Sequence, residues 1–88
     1  MDHEQIKSTV VGYISLSTKY EPAQIEEKFV LKNWPLALDN ISLAFLALSC
    51  DKYVKTLNPD KGVFVSEIRR NGLTVKGLVD LVLAKANS

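Results

Sequence analysis

The stretch Leu36-Ala37-Leu38-Asp39-Asn40-Ile41 opens the longest apolar run of the chain, which continues from Ser42 to Cys50, and this junction constrains the fold most. Pro35 pushes Trp34 to extended geometry, so the chain is non-helical there and re-enters helix near Asp39. Asp39 or Asn40 can then offer a short side-chain oxygen to an orphan backbone N–H, as a helix cap does. The mostly apolar residues that follow predict a central helix. Ile41, Ala44, Phe45 and Leu48 make one stripe along it, and Leu43, Leu46, Ala47, Cys50 and Val54 make a second, rotated about the axis. A helix apolar over so much of its circumference is packed on several sides or leaves a patch for a partner, and both can hold together.

With 88 residues the chain has room for one domain, residues 1–88, whose core needs nearly every apolar side chain it has. Its 11 basic and 10 acidic residues are spread evenly and leave a net charge of +1, so no basic stripe suggests a nucleic-acid partner. The apolar run is interrupted by Ser42 and Ser49 and falls short of the roughly 20 residues that span a bilayer. Cys50 is the only cysteine and has no internal disulfide partner. The N-terminus lacks a basic region followed by an apolar stretch, and a cytoplasmic location is the expectation.

Ile6, Val10, Tyr13 and Ile14 fall at helical spacing and predict a first helix over about residues 3–17, with Asp2 and Glu4 suited to its dipole and Val11 and Leu16 widening its apolar face. Pro22 can start a short turn through Phe29, with Ile25 and Phe29 on one face. A long connection follows, in which Trp34 is expected to plug the open end of the bundle. After the turn cluster Thr56–Gly62, Val63–Arg70 permits a short helix with Phe64 and Ile68 inward, ended by Asn71-Gly72; its Val-Phe-Val start equally fits a strand. Thr74 caps a last helix with Val75, Leu78, Val79, Val82, Leu83 and Ala86 on one face. The fold class is all-α: a small bundle of three long helices and one short one.

At the central junction the chain resembles the acyl carrier proteins, whose attachment motif is Leu-Gly-hydrophobic-Asp-Ser-Leu/Ile at the start of the second helix. Leu36, Leu38, Asp39 and Ile41 match without a gap, Ala37 stands for the glycine and Asn40 for the serine. Thr74-Val75 and the run Leu78-Val79-Asp80 are similar to the start of the family's last helix, and the helix–long loop–helix layout is shared. The resemblance implies a four-helix bundle of acyl-carrier-protein type that is not an enzyme, and a second helix that serves recognition, with Asp39, Ile41, Ala44 and Phe45 as partner contacts. The implied partners are enzymes of fatty-acid, polyketide or related acyl-chain biosynthesis and a phosphopantetheinyl transferase, met by a monomer.

In the family the motif serine carries 4′-phosphopantetheine. An asparagine amide offers no comparable nucleophile, so the cofactor is expected to be absent from this form. Ser42 is the nearest hydroxyl and the one substitute attachment site, but it lies about 200° around the helix from residue 40. Asn40 reads as a helix cap that discards the nucleophile, and Asp39 as a residue that orients an arm, contacts a partner or complements the helix dipole. The near-neutral charge, the few acidic residues along the second helix and a longer 53–75 stretch depart from the family. The alternative reading is a cargo-free interaction module with the carrier fold. An unrelated helical domain that mimics the motif would lack the long first loop and bury residue 40. His3 has no second ligand for a metal site, Cys50 reads as inert core, and Arg69-Arg70 beside Lys61 reads as a solvated face or a phosphate contact.

Overall fold

A computed structural model describes residues 2–88 and is all-α: α1 is His3–Leu16, a 3₁₀ turn covers Pro22–Gln24, and α2, α3 and α4 are Asn40–Leu57, Val65–Ile68 and Val75–Ala86. No helix among these residues is long and apolar enough to cross a membrane. Helix α1 packs on α4 and α2, and α2 packs on α3 and α4. The radius of gyration is 11.7 Å, close to the roughly 12 Å expected of a close-packed chain this long.

Asp2 caps α1 by accepting from the Glu4 N–H. The helix buries Ile6, Val10, Val11 and Ile14, whereas Leu16, expected to widen this face, is exposed. Leu16 lies about 200° around the axis from Ile14, on the far side from the core. In α4 the Thr74 hydroxyl accepts from the Gly77 N–H at 3.0 Å, and Val75, Leu78, Val79 and Val82 are buried as their spacing predicts, with Leu83 and Ala86 packed partly against them.

The turn at Pro22 stops at Gln24 instead of running to Phe29. From there the backbone competes for different partners. Lys76 N–H donates to Glu27 O at 3.0 Å, Val75 N–H to Phe29 O at 2.8 Å and Leu31 N–H to Leu73 O at 2.9 Å. After a turn at Glu27-Lys28, in which the Phe29 N–H donates to Glu26 O at 3.1 Å, residues 29–31 run along the approach to α4, with an isolated antiparallel bridge between Val30 and Thr74. These bonds satisfy backbone groups that a helix would otherwise pair internally. Ile25 is buried, and Phe29 only half-buried.

Trp34 does not plug the bundle. It is 86% exposed, because Leu31, Leu36 and Leu38 already fill the inside of the loop. Phe64 likewise points outward, 68% exposed, while Ile68 is buried as expected and Val63 takes the inward place beside it. The physical reason is that Phe64 has extended dihedrals, so successive side chains alternate and only one of Val63 and Phe64 can face the core. The helix expected over residues 63–70 shortens to Val65–Ile68.

The segment before α3 is held from both sides. Asp51 of α2 accepts the Val63 N–H at 2.9 Å, and Lys85 of α4 donates to Gly62 O at 2.6 Å and to Glu67 Oε1 at 2.8 Å, with its ammonium 5.5 Å from the Phe64 ring centroid. Burial works against the charged form of Glu67, but Lys85 and the Phe64 N–H together outweigh it and hold its carboxyl below the usual range.

Candidate functional site

The site is built at the junction of the long loop with α2. Leu36 and Leu38 anchor it in the core, and between them Ala37 is exposed. The Ala37 N–H donates to Asn33 O at 2.7 Å and the Leu38 N–H to Leu31 O at 2.9 Å, so the turn is fixed by the segment docked on α4. Ala37 has φ 45°, in the left-handed region that disfavours a Cβ. It stands where the resembled motif has glycine.

Asp39 is the cap of α2: its Oδ1 accepts the Ser42 N–H at 2.8 Å, and its carbonyl accepts the Leu43 N–H at 2.9 Å. The Ser42 backbone N–H above all, and then the Ser42 hydroxyl, hold the Asp39 carboxyl below its ordinary value, against a small desolvation penalty. Asn40 is therefore not the cap. It is the first helical residue, exposed, and its side-chain amide has no hydrogen-bond partner among the described residues. Ser42 is half-buried, on a different face from Asn40, and its backbone N–H is the one Asp39 holds.

The two stripes of α2 separate cleanly. Leu43, Leu46, Ala47, Cys50 and Val54 are buried, whereas Ile41, Phe45 and Leu48 are 81%, 47% and 53% exposed, with Ala44 half-buried among them. Ile41, Ala44 and Phe45 thus share one accessible face that begins beside Asn40. Asp51 is drawn away into its contacts with Lys55 and Val63, which leaves this face with almost no acidic character.

On the outer side of the loop Phe29, Val30, Asn33, Trp34 and Pro35, with Glu26 and Lys28 at the rim, line an open groove of about 490 Å³. The sequence signalled Trp34 only as a large aromatic, and size alone does not say which way it faces. A smaller groove of about 350 Å³ lies between α1 and the Pro22 turn.

Other candidates do not assemble into chemistry. Burial pushes the Cys50 thiol up to about 12, so it is no nucleophile at neutral pH. No group of three or more His, Cys, Asp or Glu side chains that could hold a metal exists among the described residues. Among the described residues His3 meets Glu4, at 3.6 Å. Lys61, Arg69 and Arg70 are exposed, and the lysine that reaches the end of α3 is Lys32, which donates to Arg69 O at 3.0 Å. No family model, curated protein or solved structure matches the chain.

Proposed function

We propose that the chain is an acyl-carrier-protein-like domain that presents α2 to enzymes of fatty-acid, polyketide or related acyl-chain biosynthesis and, with Asn40 at the attachment position, carries no 4′-phosphopantetheine. The observation that carries this reading is the left-handed backbone at Ala37, where the resembled motif places glycine, two residues before the Asp39 cap and three before an exposed residue 40. A chance match of residue types does not require that backbone. The long loop before α2 and the exposure of Asn40 also run against an unrelated domain that mimics the motif.

On this reading the domain is not an enzyme: its work is recognition, and Asp39, Ile41, Ala44 and Phe45 make the contacts. Ser42 is a poor substitute for the missing serine, since it is half-buried and lies about 200° around the helix from residue 40. The exposure of Ile41, Phe45 and Leu48 favours a second reading, a cargo-free interaction module that uses the same face by apolar contact.

Intact mass decides the first point. The wild type and Asn40→Ser are incubated with coenzyme A and a broad-specificity phosphopantetheinyl transferase. Addition of one arm to Asn40→Ser alone supports the carrier reading. Addition to neither sinks it in favour of the interaction module, and addition to the wild type moves the site to Ser42.

A further inference from the structure

Asn71 and Gly72 make the exposed turn between α3 and α4. Gly72 has φ 81° and is exposed, and nothing lies within 4 Å of where a Cβ would stand, so no neighbouring element packs over the turn on that side. The Gly72 N–H donates to no acceptor among the described residues. On the other side of the pair, Asn71 Oδ1 accepts from Lys32 Nζ at 2.8 Å, and the same ammonium donates to Arg69 O at 3.0 Å. A cation on that carbonyl oxygen withdraws electron density from Cγ and stabilises the negative charge that would develop on Oδ1 when a nucleophile adds.

We propose that Asn71-Gly72 is an intramolecular deamidation site in which Lys32 stabilises the reacting carbonyl. The Gly72 nitrogen loses its proton to solvent and attacks Asn71 Cγ; the new C–N bond closes a five-membered ring. The tetrahedral carbon then expels the side-chain nitrogen, which takes a proton from solvent and leaves as ammonia, giving a succinimide. Water adds to either ring carbonyl and opens the ring to aspartate or isoaspartate. Water is the only co-reactant, and nothing is oxidised or reduced. The other asparagines lack this arrangement: Asn33, Asn40 and Asn87 precede side chains that crowd the attacking nitrogen, and Asn58 precedes Pro59, which has no N–H.

The reaction places a carboxylate at the end of the bundle that holds the candidate site and takes the formal net charge from +1 to zero. An aspartate there turns the Lys32 hydrogen bond into an ion pair. An isoaspartate routes the backbone through the β-carbon, which displaces Leu73, whose carbonyl holds the Leu31 N–H. Either product therefore acts on the loop that positions residues 36–40.

The folded full chain is aged in mildly alkaline buffer, digested after glutamate and mapped by mass, with isoaspartate detected by isoaspartyl methyltransferase. Asn71 is expected to convert before Asn33, Asn40, Asn58 and Asn87. Lys32→Gln should slow conversion severalfold in native buffer while matching the wild type in urea, where Lys32 no longer meets Asn71. Far-UV circular dichroism confirms that this variant folds. Persistence of the Asn71 amide alongside the other asparagines overturns the site. Equal or faster conversion of folded Lys32→Gln, or the same slowing in urea, overturns the role of Lys32.

Discussion

Replacing Ala37 by glycine should stabilise the fold, although the same replacement in a helix does the opposite. An L-residue in the left-handed region costs about 1–2 kcal/mol relative to glycine. Against this, glycine gives the unfolded chain extra freedom worth about 0.4–1 kcal/mol. Ala37 is exposed, so removing its Cβ sacrifices no core packing, and its N–H bond to Asn33 O is untouched. The balance is a gain of about 0.8 kcal/mol, a rise in Tm of roughly 3–6 °C for a domain of this size. Ala84, exposed in α4, is the internal comparison: there glycine should cost about 0.5–1 kcal/mol. Urea denaturation followed at 222 nm measures both, since the exposed Trp34 is a poor reporter of unfolding. The midpoints should move in opposite directions with unchanged slopes. A fall in both refutes the left-handed assignment at residue 37 and, with it, the main support for the carrier reading.

Truncating the two stripes of α2 should separate them by stability: Leu46→Ala is expected to cost about 2–5 kcal/mol and Leu48→Ala less than about 0.5 kcal/mol in the same denaturation assay. Because the Asp39 carboxyl is held below its usual value, its contribution is fully present above the unfolded pKa of about 3.9 and fades as pH falls through the lower folded value. The Tm gap between the wild type and Asp39→Ala should therefore be open at neutral pH and close in acid; a gap independent of pH contradicts the cap. Tyr53 has a buried hydroxyl with no hydrogen-bond partner among the described residues, edge-on to the Tyr13 ring at 6.4 Å. Tyr53→Phe should leave stability unchanged or raise it by about 1 kcal/mol, and a loss of that size would show that the hydroxyl has a partner.

The parts of this fold that could be read from the sequence are those with local chemistry. Asp39-Asn40 and Thr74 announce helix starts because a cap needs only its own side chain and the next turn, although only the structure chooses Asp39 over Asn40. The two stripes of α2 follow from 100° per residue, but periodicity does not say which stripe finds a neighbour. That depends on α1, α3 and α4, which are remote in sequence. Trp34 is expected inward on size, Phe64 as the partner of Ile68 on one helical face and Leu16 as a widening of the α1 face, and burial of large apolar residues is a rule with many exceptions at the surface of a small domain. For Leu16 the helical angle already gave the right answer. For Phe64 the alternation of an extended Val-Phe-Val start would have given it. The left-handed turn at residue 37 leaves no trace in alanine itself, and it is the structure that shows it. Pairing of residues 27–31 with 73–76 has no local signature at all, since any backbone can make those bonds.

That pairing has a consequence for how the protein is made. The ribosome delivers the chain from its N-terminus, so α1, the loop and α2 emerge while the segment that fixes residues 27–31 is still unsynthesised. Leu31 cannot meet Leu73, nor Phe29 meet Val75, until the last helix has begun to appear. A nascent chain arrested before that point should expose its loop to protease and leave residues 36–40 unset, whatever helix they already precede. The geometry of residues 36–40 therefore waits on residues 73–76, and a product truncated before them carries that stretch without the contacts that set its shape.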